Sequence, residues 1–246
     1  MGFTFSHPAL ILPFKYLPRK YYSLSGLIMG SMAPDFEYFL RWDNQSVLSH
    51  TFKGVFLFDI PFSIIALIIF HEIMRNILIS NAPSFIKERL TFLLEMNWFD
   101  YFKKNALLVL CSIFIGVCTH LFWDNYTALN GYFVRKNTFL TTQHFFFGIE
   151  LFNYKILKHL SSIVGGGILI YLFLKLPRKK ILLLPKKYFW LLTFIIFLAC
   201  IFFYIGVSGN FILSFNQLTK KSISYMLFSL VVTTIYFKRK ETTLAD

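Results

Sequence analysis

The sequence predicts an all-α fold: an integral membrane helical bundle of about five transmembrane helices, with a short buried or re-entrant N-terminal helix. Of its 246 residues, 56% are hydrophobic and only 15% are charged, whereas soluble domains average about 45–50% apolar and about 25% charged residues. The apolar residues also fall into long uninterrupted runs. Since the chain length suits one compact membrane domain, we expect no large soluble domain.

The N-terminal part of the chain predicts structure that does not cross the membrane by itself. Residues 1–20 are mixed in polarity and interrupted by prolines, which favours a position at the membrane interface. The apolar segment 21–33 is too short for an apolar core of roughly 30 Å at about 1.5 Å per residue. Because proline disfavours a helical residue before it, we predict that this helix ends at Pro34 and that residues 35–53 form a polar connector.

Five later segments are predicted membrane spans, at residues 54–70, 106–123, 163–176, 188–207 and 223–237. Between them, residues 71–105 are predicted as a partly helical loop of mixed charge, and residues 124–160 as a long polar and aromatic loop. The sequence also suggests a division into a membrane domain, 1–176, that carries the candidate site, and a C-terminal two-helix membrane segment, 177–246. A small excess of Lys and Arg in the short loop 175–187 and in the tail predicts that these lie in the cytoplasm.

The formal net charge of +13 first raises the question of nucleic-acid binding. The basic residues, however, occur in short clusters that flank apolar runs, which is the usual pattern at membrane boundaries and engages anionic lipid headgroups. We therefore predict membrane lipid as a partner and no nucleic acid. The three cysteines lie inside apolar runs and predict neither a disulfide nor a thiolate metal site.

The stretch 116–131 contains the first chemical motif, His120 and Asp124, at the end of a predicted span. Residues four apart lie on one face of a helix, so the two side chains meet where water, a metal or a polar substrate has access. The alternative is a structural role, in which His120 stacks on aromatic rings and Asp124 caps the next turn.

Other histidines and carboxylates fall on the same side of the membrane in the predicted topology. Together they form a set of seven residues: His7, Asp35, Glu37, His50, His120, Asp124 and His159. Imidazole and carboxylate ligands from several segments suit zinc and related divalent ions, and a set of this size has room for one or two of them. We exclude His71, at the opposite end of the first span, and His144, in an aromatic loop. Asp59, within the first span, is a separate candidate because acids at membrane depth are rare.

Several ordered blocks of the sequence carry a family resemblance. They are FTFSHPALILPF, GSMAPDFEYFL, SHTFKGVFLFDIP, GVCTHLFWDNYTALNGY and KHLSSIVG, which together cover roughly residues 1–176. In these blocks the chain resembles the bacterial membrane proteins of domain-of-unknown-function family 4184. The resemblance implies a location in the bacterial cytoplasmic membrane, and the distribution of Lys and Arg predicts that the site lies on the extracytoplasmic face.

A looser similarity extends to membrane-bound metal-dependent hydrolases, which share an early His, a Pro-Asp-x-Asp, a central Thr-His-Ser and a late His-x-x-x-Asp. Glu37 replaces the second aspartate here, and the basic residues around the central histidine are missing. The similarity implies that His7, Asp35, His50, His120 and Asp124 bind the metal. Glu37 is then the expected base or additional ligand, and His159 the expected proton donor or outer partner.

Two functional hypotheses follow from these residues. In the first, the chain is a metal-dependent membrane hydrolase, most plausibly zinc-dependent, that acts on a lipid or lipid-linked phosphoester. In the second, it is not an enzyme, and the His/Asp cluster is a structural metal site, a hydrogen-bonded staple or an ion path. A closed structural site uses four protein ligands, whereas a catalytic site leaves a position for water. The sequence does not indicate an oligomeric state.

Overall fold

The computed structural model describes residues 3–41, 47–146, 148–208 and 215–243, and these are almost entirely helical, which confirms the all-α class. The main helices are Leu24–Arg41, Phe52–Asn81, Ala106–Thr127, Asn153–Leu174, Phe189–Ser208 and Phe215–Thr243. Shorter helices occupy Ser84–Leu90, Trp98–Lys104, Tyr132–Lys136 and Thr138–Thr141, with 3-10 turns at Arg19–Tyr21 and Thr91–Leu93. A 3-10 helix, Thr4–Tyr16, precedes them all, and one antiparallel hairpin pairs Gln143–Phe146 with Ile149–Phe152.

The chain forms two compact units. The first consists of Met1–Asp35, Leu48–Leu67 and Lys104–Lys175. The second consists of Phe36–Val47, Ile68–Lys103 and Leu176–Asp246, and its core includes Ile77, Phe189 and Phe237. All five predicted metal ligands fall in the first unit.

Four stretches are long and apolar enough to cross a membrane: Phe52–Asn81, Ala106–Lys136, Asn153–Leu174 and Phe189–Val207. They contain or overlap the first four predicted spans, and they support a membrane protein. The fifth predicted span, 223–237, lies within the helix Phe215–Thr243, which is not among these four in the described part of the chain.

The prediction that a helix ends at Pro34 is wrong. Leu24–Arg41 is one continuous helix with Pro34 inside it, and only residues 42–46 of the predicted connector lie outside the described residues. A proline inside a helix costs about 3 kcal/mol because its nitrogen donates no hydrogen bond. Burial of the helix offsets this cost, since Leu27 and Ala33 are fully buried. This helix is not one of the four candidate spans of the described residues, and that it does not cross alone stays a prediction.

Two predicted loops contain more helix than expected. The first long helix continues past residue 70 to Asn81, because Met74 and Ile77 bury their side chains and Arg75 donates a hydrogen bond of 2.6 Å to the Met96 carbonyl oxygen. In the region 124–160, the helix that carries His120 ends only at Thr127, and the next long helix already begins at Asn153. The buried cluster of Val134, Leu140 and Tyr154 supports this early start.

A close contact between two helices positions the candidate site. A Cβ atom added at Gly30 would lie 2.1 Å from the Ile113 carbonyl oxygen, and one added at Gly116 would lie 2.4 Å from the Leu27 carbonyl oxygen. Each helix therefore approaches the other at a glycine, and a side chain at either position would separate their backbones. The glycines stand about one turn before Asp35 and His120 in their respective helices, so this contact brings those two side chains together.

Candidate metal centre

Four side chains converge at one point in the first unit: Asp35, His50, His120 and Asp124. Each offers one nitrogen or oxygen atom, and these four atoms all lie within 4.8 Å of one another. The residues come from the helix Leu24–Arg41, the turn before Phe52, and the helix Ala106–Thr127. The sequence prediction therefore named four residues that the fold brings together.

The four atoms alternate in type around the point where they meet. The His50 Nε2 atom lies 3.7 Å from Asp35 Oδ1 and 3.3 Å from Asp124 Oδ2. The His120 Nε2 atom lies 3.4 Å from the same Asp35 oxygen and 3.5 Å from the same Asp124 oxygen. Donors bound to one zinc ion at about 2.1 Å in a tetrahedral arrangement are about 3.4 Å apart. These separations therefore fit four donors around one small ion.

The orientation of His120 is fixed by the neighbouring helix. Its Nδ1 atom lies 2.8 Å from the carbonyl oxygen of Ser31, and because a carbonyl only accepts hydrogen bonds, Nδ1 carries the hydrogen. In the neutral ring, Nε2 then presents a lone pair towards two carboxylate oxygens. This arrangement needs a cation or a proton between the three atoms. Metal-bound histidines nearly always donate their second N–H to a carbonyl or carboxylate in this way.

The carboxylate of Asp35 is fully buried, and its two oxygen atoms have different surroundings. Oδ2 accepts a hydrogen bond of 2.7 Å from the hydroxyl of Thr4. Oδ1, which faces His120, accepts no hydrogen bond from the described residues. A buried carboxylate requires positive charge or several donors nearby, because its desolvation is costly. The orientation imposed by Thr4 leaves Oδ1 available to a metal.

The backbone at His50 adopts a conformation that non-glycine residues rarely take, with φ at 64°. The hydroxyl of Ser49 lies 3.0 Å from His50 Nδ1, and Nε2 faces the two aspartates. Such backbone strain costs of the order of 1–3 kcal/mol and is concentrated at functional sites. The turn that contains His50 therefore holds the imidazole at the centre. No feature of the sequence indicated the unusual backbone conformation of His50.

The fifth predicted ligand, His7, lies beside the group of four. Its ring stacks on His120 with centroids 3.9 Å apart and planes inclined by 21°. Burial of the ring, followed by the neighbouring His120, lowers the pKa of His7 to about 4, so the side chain is neutral at physiological pH. Its Nδ1 atom has no hydrogen-bond partner among the described residues. The early histidine thus returns to the second predicted span, as the sequence analysis required.

The two predicted catalytic residues occupy other positions. Glu37 follows Asp35 by two helical residues, about 200° around the axis, and therefore lies on another face. Its Oε1 atom accepts a hydrogen bond of 2.9 Å from the backbone N–H of Val47 and lies 3.8 Å from Arg41. His159 is exposed on the helix Asn153–Leu174. Neither belongs to the group of four.

The residues set aside at the outset also lie outside the group of four. His71 stacks on Trp98 with centroids 5.0 Å apart, and the Nε2 atom of His144 lies 3.0 Å from Asn153 Oδ1. Asp59 is fully buried in the long helix Phe52–Asn81.

One side of the centre is more accessible than the other. The side chains of Asp35 and His120 are completely buried, whereas those of His50 and Asp124 retain 19% and 12% of their exposure. The side of His50 and Asp124 is thus the more exposed one, although the His50 Nε2 and Asp124 Oδ1 atoms are themselves buried.

Thr4 is a partner that the sequence analysis missed, because a threonine in an apolar block gives no signal of its own. Thr4→Val removes the hydroxyl that orients Asp35 and keeps the side-chain shape. We expect metal affinity to fall by about 10–100-fold, the usual effect of losing such an outer partner. The matched control is Thr193→Val, which alters another buried threonine outside the first unit. Titration of purified protein with Zn²⁺ would measure both affinities, and an equal loss in both variants would contradict the assignment.

The sequence model of one protein family, described as "Domain of unknown function (DUF4184)", matches residues 1–238. The match extends beyond the region 1–176 that carries the resemblance and includes the helix Phe189–Ser208 and most of the helix Phe215–Thr243. No curated protein and no solved structure gives a significant match to the chain.

Proposed function

The chain belongs to the family described as Domain of unknown function (DUF4184), and from the geometry of its four donor atoms we propose that it is a membrane-bound metal-dependent hydrolase. The observation that carries the proposal is the alternation of two imidazole nitrogens and two carboxylate oxygens at 3.3–3.7 Å. With the hydrogen on Nδ1, the neutral His120 ring presents a lone pair at Nε2 towards two carboxylate oxygens, and a metal ion at this point would bind all three atoms.

The donor set supports zinc or a related first-row divalent ion. Two imidazoles and two carboxylates suit such ions, whereas calcium and magnesium favour sites made mainly of oxygen. Asp35, His50, His120 and Asp124 would hold one ion, and His7 would pack against the ligand ring of His120. A bound divalent ion supplies a Lewis acid that activates water and offsets developing negative charge on a substrate.

The residues of the chain divide the remaining tasks. Asp35 and His120, buried and anchored by Thr4 and the Ser31 carbonyl, provide the rigid part of the centre. His50 and Asp124 border the accessible side, where a substrate and a water molecule would enter. Asp124 is the proposed acceptor of a proton from that water, because it is a carboxylate on the more exposed side of the centre.

The proposed substrate is a lipid or lipid-linked phosphoester. The four candidate membrane spans support a substrate that resides in the membrane, and a divalent cation favours a substrate that develops negative charge. The proposal retains five spans, with 223–237 as the fifth, and a site on the extracytoplasmic face of a bacterial cytoplasmic membrane. It assigns no catalytic role to Glu37 or His159, given their positions.

Four protein donors are also the number that a closed structural zinc site uses, so a non-enzymatic metal site is the second candidate. The partial exposure of His50 and Asp124 favours the hydrolase, because a closed site excludes water from its ligands.

The test uses the purified full-length protein in detergent micelles. We expect about one equivalent of divalent metal per chain and slow release of phosphate or alcohol from a lipid phosphoester. Activity should disappear on treatment with EDTA and return when zinc or manganese is added. A full equivalent of metal with no hydrolysis of any lipid phosphoester in a broad panel would favour the structural site. Absence of metal in both the purified and the reconstituted protein would contradict both candidates.

A further inference from the structure

A cleft of about 210 Å³ lies beside His7, which is one of its lining residues. It is formed by the 3-10 helix Thr4–Tyr16, the helix that carries His120, and the helix Asn153–Leu174. Leu10, Trp123, Val164 and Ile168 line its walls, and His7 contributes a ring at one end. The same imidazole stacks on His120. His7 is therefore a shared neighbour of the cleft and of the group of four.

The cleft offers almost no free polar group to a ligand. The hydroxyl of Ser161 accepts a hydrogen bond from the Trp123 indole and donates one to the Lys158 carbonyl. The hydroxyl of Ser162 accepts one from the Phe3 backbone N–H and donates one to the same carbonyl. Their hydrogen-bonding capacity is thus largely used within the fold. The hydroxyl of Ser6, another lining residue, donates a hydrogen bond to the Phe3 carbonyl oxygen. The rest of the lining is apolar except at His7, and it suits a ligand with few polar atoms along its length.

The cleft opens on a helix that is one of the candidate membrane spans. Val164 and Ile168, which line it, are 51% and 41% exposed on that helix. Between them, Gly165 approaches the N-terminal helix so closely that an added Cβ would lie 3.1 Å from the Ser6 carbonyl oxygen. The opening of the cleft would therefore face lipid chains when this helix spans a bilayer.

We propose that this cleft binds one alkyl chain of a membrane lipid, and that it positions the lipid headgroup at the metal centre. The inference rests on the proposed function for the role of the headgroup, and on the cleft alone for the binding of the chain. Sites for complete drug-sized ligands span about 300–1,000 Å³, so a cleft of this size suits one segment of a larger amphiphile. An alkyl chain gains about 0.8 kcal/mol per CH₂ group on leaving water, but this gain is absent when the chain leaves a bilayer. Occupancy of the cleft by an alkyl chain therefore depends on the fit between the chain and the cleft and on binding of the lipid headgroup at the metal centre.

The experiment uses the full-length protein in phosphatidylcholine vesicles that contain a few mole per cent of a phosphatidylglycerol with a diazirine in one acyl chain. After irradiation, the labelled positions are mapped by peptide mass spectrometry. Ile168→Trp fills the cleft, and Ile170→Trp is its matched control, because Ile170 is an exposed isoleucine of the same helix that does not line the cleft. Metal content and lipid hydrolysis are measured on the same samples.

We expect labelling to concentrate in residues 6–10, 123 and 161–168, and to fall by about tenfold in Ile168→Trp as the side chain occupies the space of several methylene groups. Ile170→Trp should label like the unaltered protein, and all three proteins should retain metal. Labelling spread evenly over the lipid-facing residues of every span, or equal labelling in the two variants, would overturn the proposal. Loss of labelling in Ile170→Trp would also contradict the proposal, because Ile170 does not line the cleft. So would a dimer in which this helix is covered by a second copy of the chain, since the cleft would then not face lipid.

Failure of the cleft and failure of the proposed function give different results. Metal-dependent hydrolysis that is unchanged in Ile168→Trp, together with diffuse labelling, would remove the cleft and leave the enzyme. Concentrated labelling of a protein that binds no metal would remove the hydrolase and leave a lipid-binding cleft.

Discussion

His120→Ala is expected to abolish stoichiometric metal binding. The ring contributes one of four donor atoms, lies between two carboxylates, and also packs against His7. Loss of a partner outside the ligand set already costs about 10–100-fold in affinity, so loss of a ligand should cost more than about 100-fold. Metal analysis by mass spectrometry of the purified variant, and a Zn²⁺ titration in competition with a chelating dye, would measure the change. His50→Ala and Asp35→Ala should show the same deficit.

The control for this experiment must also remove a buried imidazole from a helix. His71→Ala does so, since His71 is 4% exposed and stacks on Trp98 outside the first unit. His144→Ala tests an exposed histidine in addition. Both variants should keep one equivalent of metal. An equal loss in His71→Ala and His120→Ala would mean that metal retention reports folding rather than ligation.

Gly30→Leu should disrupt the first unit more severely than any single ligand change. Even a Cβ atom at this position would lie 2.1 Å from the Ile113 carbonyl oxygen and 2.9 Å from the Ile113 Cα atom. The clashing atoms belong to the backbone of the helix Ala106–Thr127, so the clash is relieved only if the two helices move apart. Overpacking of this kind typically costs about 1–3 kcal/mol and occasionally more. Because the same contact holds His120 against the Ser31 carbonyl, metal affinity should fall together with thermal stability.

Two control variants, Gly30→Ala and Gly206→Ala, separate the clash at Gly30 from a general effect of replacing a helical glycine. Gly30→Ala should show a smaller loss in melting temperature than Gly30→Leu. Gly206→Ala should be neutral or slightly stabilising, because no atom lies within 4 Å of an added Cβ there and alanine favours helix by about 1 kcal/mol. Unchanged melting temperature and metal content in Gly30→Leu would show that the two helices do not depend on this contact.

Much of the candidate site was predictable because local and non-local signals agreed. The spacing of His120 and Asp124 gives a shared helical face from geometry alone. Asp35 and His50 could be added only through the topology and the family resemblance, since residues so far apart carry no periodic relation. Glu37 looked equivalent to Asp35 in the motif, but a separation of two residues places it on another helical face, which a linear motif does not reveal.

The fold was harder to predict where tertiary contacts outweigh local preference. Pro34 carries a local signal for the end of a helix, and burial of the helix overrides it. The region 71–81 contains His71, Arg75 and Asn81, which suggest a loop, but Arg75 and Asn81 form hydrogen bonds within the protein and His71 stacks on Trp98. Asn81, for example, accepts a hydrogen bond of 2.7 Å from the Lys186 backbone N–H and donates one to the Ile77 carbonyl. The fifth span remains a prediction.

The wide spacing of the ligands along the chain determines when the centre arises during biosynthesis. Donors at positions 35 and 50 emerge from the ribosome long before those at 120 and 124, and contacts between distant segments form late because loop closure must come first. A nascent chain that has inserted its first long helix therefore contains Asp35, a carboxylate that is buried in the finished fold, before His120 has been synthesised. Until the helix Ala106–Thr127 joins it, that acid has no metal to neutralise it. The order of synthesis thus makes the first unit dependent on rapid insertion of its second long helix, and under the proposed function the binding of the metal would complete its assembly.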